Sequence, residues 1–400
     1  MLFSAKKGLA SAVFFIALLI LLGLVVGKRK QYAPEFLLVH EQAEPIGLAI
    51  NQGARRPVFR KDFVCSPCEV ARVHAATLAV TAPGTLHTFW WGGTKEAYAD
   101  VSLYSSQTNA THKWSPPRHR LNVGELSAAL GRYTKLIGNP AAVVDLDGRI
   151  WLFFVSVSAG GWSGSSINFM RSADNGKTWS RPKKLITSPF FNVSTAVRSK
   201  PVLFSDGSIG VPVYHELAGI FSELLKVDQD GRVMGKYRIT WGQHTLQPSL
   251  IIESPFRALA LHRQRGTAQR KIMSNRTSSG GMHWSAIQPI DLPNPDASVA
   301  ALKAHDGKYI LAFNNRKNDR KNLALAVSID KGNSWRVIGN VEDSQGNDDE
   351  FSYPTIVQAA DGMFHMVYTW KRKGIAHVQF NPAWVNRKLA QASREDGSGK

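Results

Sequence analysis

Two cysteines and a scatter of histidines are the residues whose types and spacing admit chemistry. Cys65 and Cys68 in CSPCEVARVHAAT form a lone CxxC. Redox work needs a thioredoxin-like strand and helix around such a pair, and zinc needs two further ligands close by. Neither is legible, which leaves a short local disulfide or two buried thiols. His74, His87, His112 and the remaining histidines show no paired ligand spacing, and no EF-hand-like loop occurs, so neither metal nor cofactor is expected. His74, beside an apolar run, is either a proton carrier or carboxylate donor in a pocket, or a satisfied core residue.

The elements that must position these groups read as strands. AAVVDLDGRIWLFFV, KPVLFSDGSIGVPVY and TIVQAADGMFHMVYTW each carry a β-branched or aromatic run into a DG turn and out into another run, the hairpin signature. Sustained helical periodicity is missing from the body, so the class is all-β. Ser172, Asp174, Gly176 and Trp179 fit S-x-D-x-G-x-x-W, and Ser328, Asp330, Gly332 and Trp335 fit it again. Thr277, Ser279, Gly281 and Trp284 form a weaker copy, and a fourth ends at Trp114 with Asn109 in the aspartate position. The tryptophans lie 65, 105 and 51 residues apart, so the middle gap holds two units. A body of about 325 residues then holds six, and four-stranded units at this period close into a six-bladed β-propeller. In each motif the acid ties the turn, glycine supplies positive φ and tryptophan packs between sheets, so Asp174, Trp179, Asp330 and Trp335 are structural.

Forty-nine Lys and Arg against thirty Asp and Glu give a formal charge of +19 and point to an anionic partner. Gly8 to Gly27 carries no charge and is flanked by Lys6, Lys7, Lys28, Arg29 and Lys30. Twenty apolar residues at 1.5 Å each match a hydrocarbon core about 30 Å thick. The sequence therefore predicts an N-terminal single-pass transmembrane helix within an anchor over residues 1–30. A linker over 31–60, a propeller over 61–384 on the extracytoplasmic side and a loose polar tail over 385–400 follow. No nucleic-acid module is recognisable.

With the boxes in place the chain resembles the sialidase (neuraminidase) superfamily, and more closely its bacterial sialidase-like BNR-repeat branch, over roughly residues 68 to 380. HAATLAV, WWGGTKEAYADVSLY, QPSLI, LPNPDAS and EFSYPTIVQAADGMFHMVYTWKRKGIAH carry the likeness. It implies a sugar pocket at the centre of one propeller face and hydrolysis of a bond to a terminal acidic sugar. Sialidases hold the sugar carboxylate with three arginines, whose planar guanidiniums form paired hydrogen bonds. They attack with Tyr, which brings no second negative charge against that carboxylate.

Carried over by motif, Tyr353 in FSYPTI is the nucleophile, and Arg320 in RKNLALAVSID and Arg263 or Arg265 in LHRQRG bind substrate. Glu96 or Asp100 is the general acid/base. Two positions depart from the family. His74 stands where the first arginine is expected, and Gln247 falls on the Glu that assists the tyrosine. Glu350 is a partial substitute for that Glu, but strand alternation puts it on the opposite face from Tyr353. The resulting expectation is a membrane-anchored exo-glycosidase acting on an acidic glycan. The alternatives are an elimination enzyme on uronic-acid linkages, with Tyr353 and His74 as acid and base, and a non-catalytic propeller binding an anionic glycan or a partner protein.

Overall fold

The alternating runs and DG turns fold into six antiparallel sheets, five of four strands and one of five whose innermost strand is split in two; strands follow in sequence order except where the first closes the last sheet. The computed structural model describes residues 33–38, 56–82, 85–109, 113–188, 192–242 and 244–398. The innermost strands are Arg72–Ala82, Leu136–Val144, the pair Ala196–Val197 and Val202–Leu203, Thr245–Ser254, Ala300–Lys303 and Phe351–Gln358. They define blades 1 to 6. Phe59–Cys65 pairs antiparallel with Gly374–Phe380, so the first strand of the propeller completes its last blade and closes the ring. The core lies between blades. Trp151, Phe153 and Phe169 of blade 2 bury against Val211 and Val213 of blade 3, and Ile310 and Leu325 of blade 5 bury against Met366 and Tyr368 of blade 6. Each such side chain contributes about 1.5–3 kcal/mol when removed from water.

The boxes tie turns as their spacing requires. The Ser172 hydroxyl bonds Asp174 and accepts from the Gly176 amide at 2.8 Å, while Trp179 meets Phe89 of blade 1 edge-on at 5.5 Å. Thr178 and Ser172 hold the Asp174 carboxyl down to about 2. Ser328, Asp330, Gly332 and Ser334 repeat the pattern in blade 5, and Trp335 packs into the apolar cluster with Leu259 of blade 4. In the degenerate box of blade 4, Gly280 has φ +63° and a Cβ there would fall 1.6 Å from the Pro34 carbonyl oxygen. That turn is a seat for residues 34–38, where Phe36 stacks on Phe204 at 5.1 Å.

Two parts of the predicted layout need correction. Residues 8–27, read as a membrane helix, lie outside the described residues, and among those described no helix is long and apolar enough to cross a membrane. The described helices are Val123–Leu130, of eight residues, and Pro382–Ser398, of 17 and largely polar. Both fall short of the roughly 20 apolar residues a span needs. The single-pass anchor, the membrane partner and the membrane location are therefore not supported. The stretch expected as a loose tail from 385 is instead helical in continuation from Pro382. Trp384 and Val385 are buried on blade 6, and Asn381 accepts from the Trp384 amide at 2.9 Å.

The inner strands share one irregularity. Ala75, Asn139, Ser194, Gln247, Asp296 and Tyr353, one per blade at or just before the first strand, all have φ between 47° and 59°. Left-handed backbone costs a non-glycine residue about 1–2 kcal/mol. The register shifts there in blades 1, 2, 4 and 6, between His74 and Thr77, Gly138 and Ala141, Leu246 and Ser249, and Ser352 and Thr355. These bulges break the alternation of side chains at the start of the inner strands, where the predicted site residues sit.

Candidate active site

All six inner strands run in the same sense around the axis, so their bulged starts share one face. The turns joining second to third strands open on that face too. They carry Glu96 in blade 1, Glu216 in blade 3, Arg265 in blade 4, Arg320 in blade 5 and Arg372 in blade 6. The box turns join third to fourth strands and lie on the opposite face.

Tyr353 is 9% exposed. Its hydroxyl oxygen accepts from Arg263 Nη1 at 2.9 Å, and its ring has Arg198 at 5.1 Å and Arg320 at 5.6 Å. Burial alone would raise this phenol; Arg263 and Arg320 outweigh it and hold the group below its usual value. Arg263 also donates through Nε to Asp296 Oδ1 at 2.6 Å and through Nη1 to Gln247 Oε1 at 3.1 Å. Gln247 donates in turn to the Tyr214 hydroxyl at 3.4 Å, which accepts from Asn139 at 3.2 Å. Residues from five blades are thus joined in one network.

Glu350 is its second centre. It accepts from Arg320 Nη1 at 3.0 Å, Arg372 Nε at 2.6 Å and Ser352 Oγ at 2.6 Å. Burial would raise its carboxyl, but the charges of His74, Arg372 and Arg320 pull it well below the usual carboxylate range. Because burial and then Arg372 hold His74 itself neutral, the two guanidiniums carry that pull at neutral pH. His74 is 2% exposed, its ring lies 4.2 Å from that of Tyr353, and neither ring nitrogen has a hydrogen-bond partner. An unpaired buried imidazole beside a buried phenol is costly unless the site uses it.

The structure brings together Tyr353, His74, Gln247, Arg263 and Arg320 of the residues singled out from sequence. Arg265 joins at the rim, 3.0 Å from Glu216 and 3.6 Å from Asp296. Of the two acids, Glu96 reaches the cluster through Arg372 at 3.1 Å. Asp100 does not. It is exposed and accepts from the Thr94 hydroxyl and amide, both at 2.7 Å, and those bonds lower its pKa. Asp100 staples its loop and is unsuited to hold a proton at neutral pH. The parity argument against Glu350 fails because the bulge at Tyr353 turns both residues to the same network.

Sequence reasoning missed Arg372, Asp296, Tyr214 and Arg198. Arg372 supplies the second guanidinium on Glu350 and, with Arg263 and Arg320, the third of the cluster, while the position expected for the family's first arginine is held by His74. It sits in the basic run TWKRKG; its signal is its place in the second-to-third-strand turn of blade 6, which opens on the site face as the Arg320 turn does. The Cys65 and Cys68 sulfurs form a disulfide. Among the described residues no group of three or more His, Cys, Asp and Glu is placed to hold a metal ion.

The fold is a six-bladed propeller of BNR-type repeats with a cluster of arginines around Tyr353 on one face. The model for the BNR repeat-like domain matches residues 84–366, and the chain belongs to that family. No curated protein matches it significantly. Among solved structures it is similar to the Trypanosoma rangeli sialidase, with a TM-score of 0.66 at 12% identity over 86% of this chain and 63% of that one. The intramolecular trans-sialidase from Ruminococcus gnavus superposes with a TM-score of 0.64 at 13% identity, over 81% of this chain and 97% of that one. A Hadza microbial sialidase gives 0.63 at 16% identity over 78% of this chain and 66% of its own length. At these identities the likeness is one of fold.

Proposed function

We propose that the protein is an exo-glycosidase that hydrolyses the bond to a terminal acidic sugar, with Tyr353 as nucleophile. The observation that carries this reading is the Tyr353 hydroxyl held on Arg263, with Arg320 and Arg372 gathered around it through Glu350. Arg263, Arg320 and Arg372 receive the sugar carboxylate. The lowered phenol gives its proton to His74, neutral and packed on its ring, and its oxygen attacks the anomeric carbon. Once the sugar carboxylate has taken the place of Glu96 on Arg372, Glu96 takes up a proton from solvent, and the C–O bond to the leaving group breaks as Glu96 gives that proton to the departing oxygen. Water then cleaves the aryl glycoside, with Glu96 taking a proton from the water and His74 returning one to Tyr353.

Gln247 cannot act as a base, and here it accepts from Arg263 and so orients that guanidinium on the phenol. The removal of a base from that position is offset by two features: the phenol is already depressed, and an unbonded imidazole lies against it.

The test is a panel of reporter glycosides of sialic and uronic acids, assayed with the protein and with Tyr353→Phe. Turnover of one acidic glycoside that falls at least a thousandfold in Tyr353→Phe is expected. Equal turnover by the variant would remove Tyr353 from the mechanism, and no turnover of any member would remove the activity.

A further inference from the structure

The ends of the six inner strands, opposite the Tyr353 cluster, surround a half-open cavity of about 780 Å³, within the 300–1,000 Å³ of small-molecule sites. Its wall is mostly aliphatic, with Val143, Leu250, Ile251, Val299, Ile356 and Val357 drawn from blades 2, 4, 5 and 6. Blade 3 contributes differently. Its inner strand breaks between Val197 and Val202, and the break presents Arg198, Ser199 and Lys200 to the cavity.

Arg198 and Ser199 carry buried polar atoms without partners, and Lys200 adds an exposed ammonium beside them. Arg198 is 1% exposed; its Nη2 donates to the carbonyls of Ala76 and Tyr353 at 3.2 and 2.6 Å, yet its Nε has no partner. Ser199 is 7% exposed and its Oγ has none either. No carboxylate among the described residues pairs with Arg198 or Lys200. The one acid in the wall, Asp145, is spent on Arg149 at 2.8 Å and Trp151 Nε1 at 2.7 Å. Lys303, also in the wall, donates only to the Glu253 carbonyl at 3.2 Å. A buried guanidinium held by neutral carbonyls beside two further cations is a net positive corner in an apolar chamber. An unpaired buried charge costs several kcal/mol, which an anion placed there would offset.

We infer that this rear cavity is a binding site for an amphipathic anion, a phosphate or carboxylate head on an aliphatic body. The head is held by Arg198, Ser199 and Lys200 and the body lies against the aliphatic wall. The site is separate from the Tyr353 pocket, with the Arg198 side chain forming the partition between the two. It does not depend on the proposed glycosidase activity.

Calorimetric titration of the full chain at pH 7 tests it with four probes: decyl phosphate, decanoate, inorganic phosphate and decanol. Both amphipathic anions are expected to bind one per chain and to compete with each other, and the tighter one assigns the head group. Inorganic phosphate and decanol each lack half of the ligand and should bind at least tenfold more weakly. Lys200→Gln, at an exposed position, should weaken both anions at least tenfold, the loss of one hydrogen bond to a charged group, with the melting temperature unchanged. Ala301→Phe, which adds a ring to the aliphatic wall, should weaken them too. The proposal is overturned if neither anion binds, if decanol matches decyl phosphate, or if Lys200→Gln leaves the affinity unchanged.

Discussion

Replacing Glu350 by glutamine separates what holds the pocket together from what the pocket binds. The carboxylate neutralises Arg320 at 3.0 Å and Arg372 at 2.6 Å, and the three side chains are only 18–22% exposed. Removing one member of a buried ion pair costs about 3–5 kcal/mol. Here each arginine keeps a second acceptor, the Asp296 carbonyl for Arg320 and Glu96 for Arg372, so Glu350→Gln should cost about 2–3 kcal/mol at pH 7. The folded pKa of Glu350 is depressed, so its contribution is fully present above its unfolded value of about 4.3 and is lost as pH falls toward the folded one. Urea denaturation should therefore show the same gap between wild type and variant at pH 7 and pH 5.5, and a smaller one at pH 3. Two freed guanidiniums should at the same time bind a free acidic monosaccharide more tightly, by about tenfold, so ligand restores part of the lost stability. A loss under 0.5 kcal/mol at pH 7, or weaker monosaccharide binding by the variant, would refute the assignment of Glu350 as the organiser of the arginines.

Three further outcomes follow from the same geometry. His74 is held neutral with a folded pKa well below 6.5, so the unfolded state binds more protons below that pH. Stability should fall by up to about 1.4 kcal/mol per pH unit on this account, and His74→Phe should flatten the fall between pH 6.5 and 5 relative to wild type in urea melts. Gln247→Glu places a carboxylate on Arg263 beside the phenol, and ultraviolet titration should show the Tyr353 transition, identified by its loss in Tyr353→Phe, moving to higher pH. Trp179→Ala removes the edge-on contact with Phe89 on the face opposite the pocket. It should destabilise the fold by about 2–3 kcal/mol in denaturant melts and leave ligand affinity unchanged.

The propeller was legible because its turn chemistry repeats along the chain: a hydroxyl, an acid, a glycine and a tryptophan at fixed offsets mark one corner of a blade whatever the strands between them contain. The candidate site was legible only where a motif narrowed the choice, to one residue at Tyr353 and Arg320 and to Arg263 or Arg265 in LHRQRG. Strand parity misplaced Glu350 because an alternation argument assumes an unbroken pleat, and Tyr353 itself, at φ 55°, breaks it. Arg372 and Arg198 were hidden for a different reason. Each sits among other basic residues, in TWKRKG and VRSKP, where composition cannot separate a buried guanidinium from a solvated one. The N-terminal apolar run that hydropathy reads as a membrane helix lies outside the described residues, and among those described no helix is long and apolar enough to cross a membrane.

Hydrolysis with Tyr353 as nucleophile requires a covalent bond from its phenol oxygen to the sugar. The most direct measurement is mass spectrometry of the protein after reaction with a fluorinated acidic glycosyl fluoride, which forms the glycosyl-enzyme and then stalls. One adduct per chain, mapped to the peptide bearing Tyr353 and missing in Tyr353→Phe, is the predicted result. Release of fluoride with no adduct, or an adduct on any other residue, would contradict it.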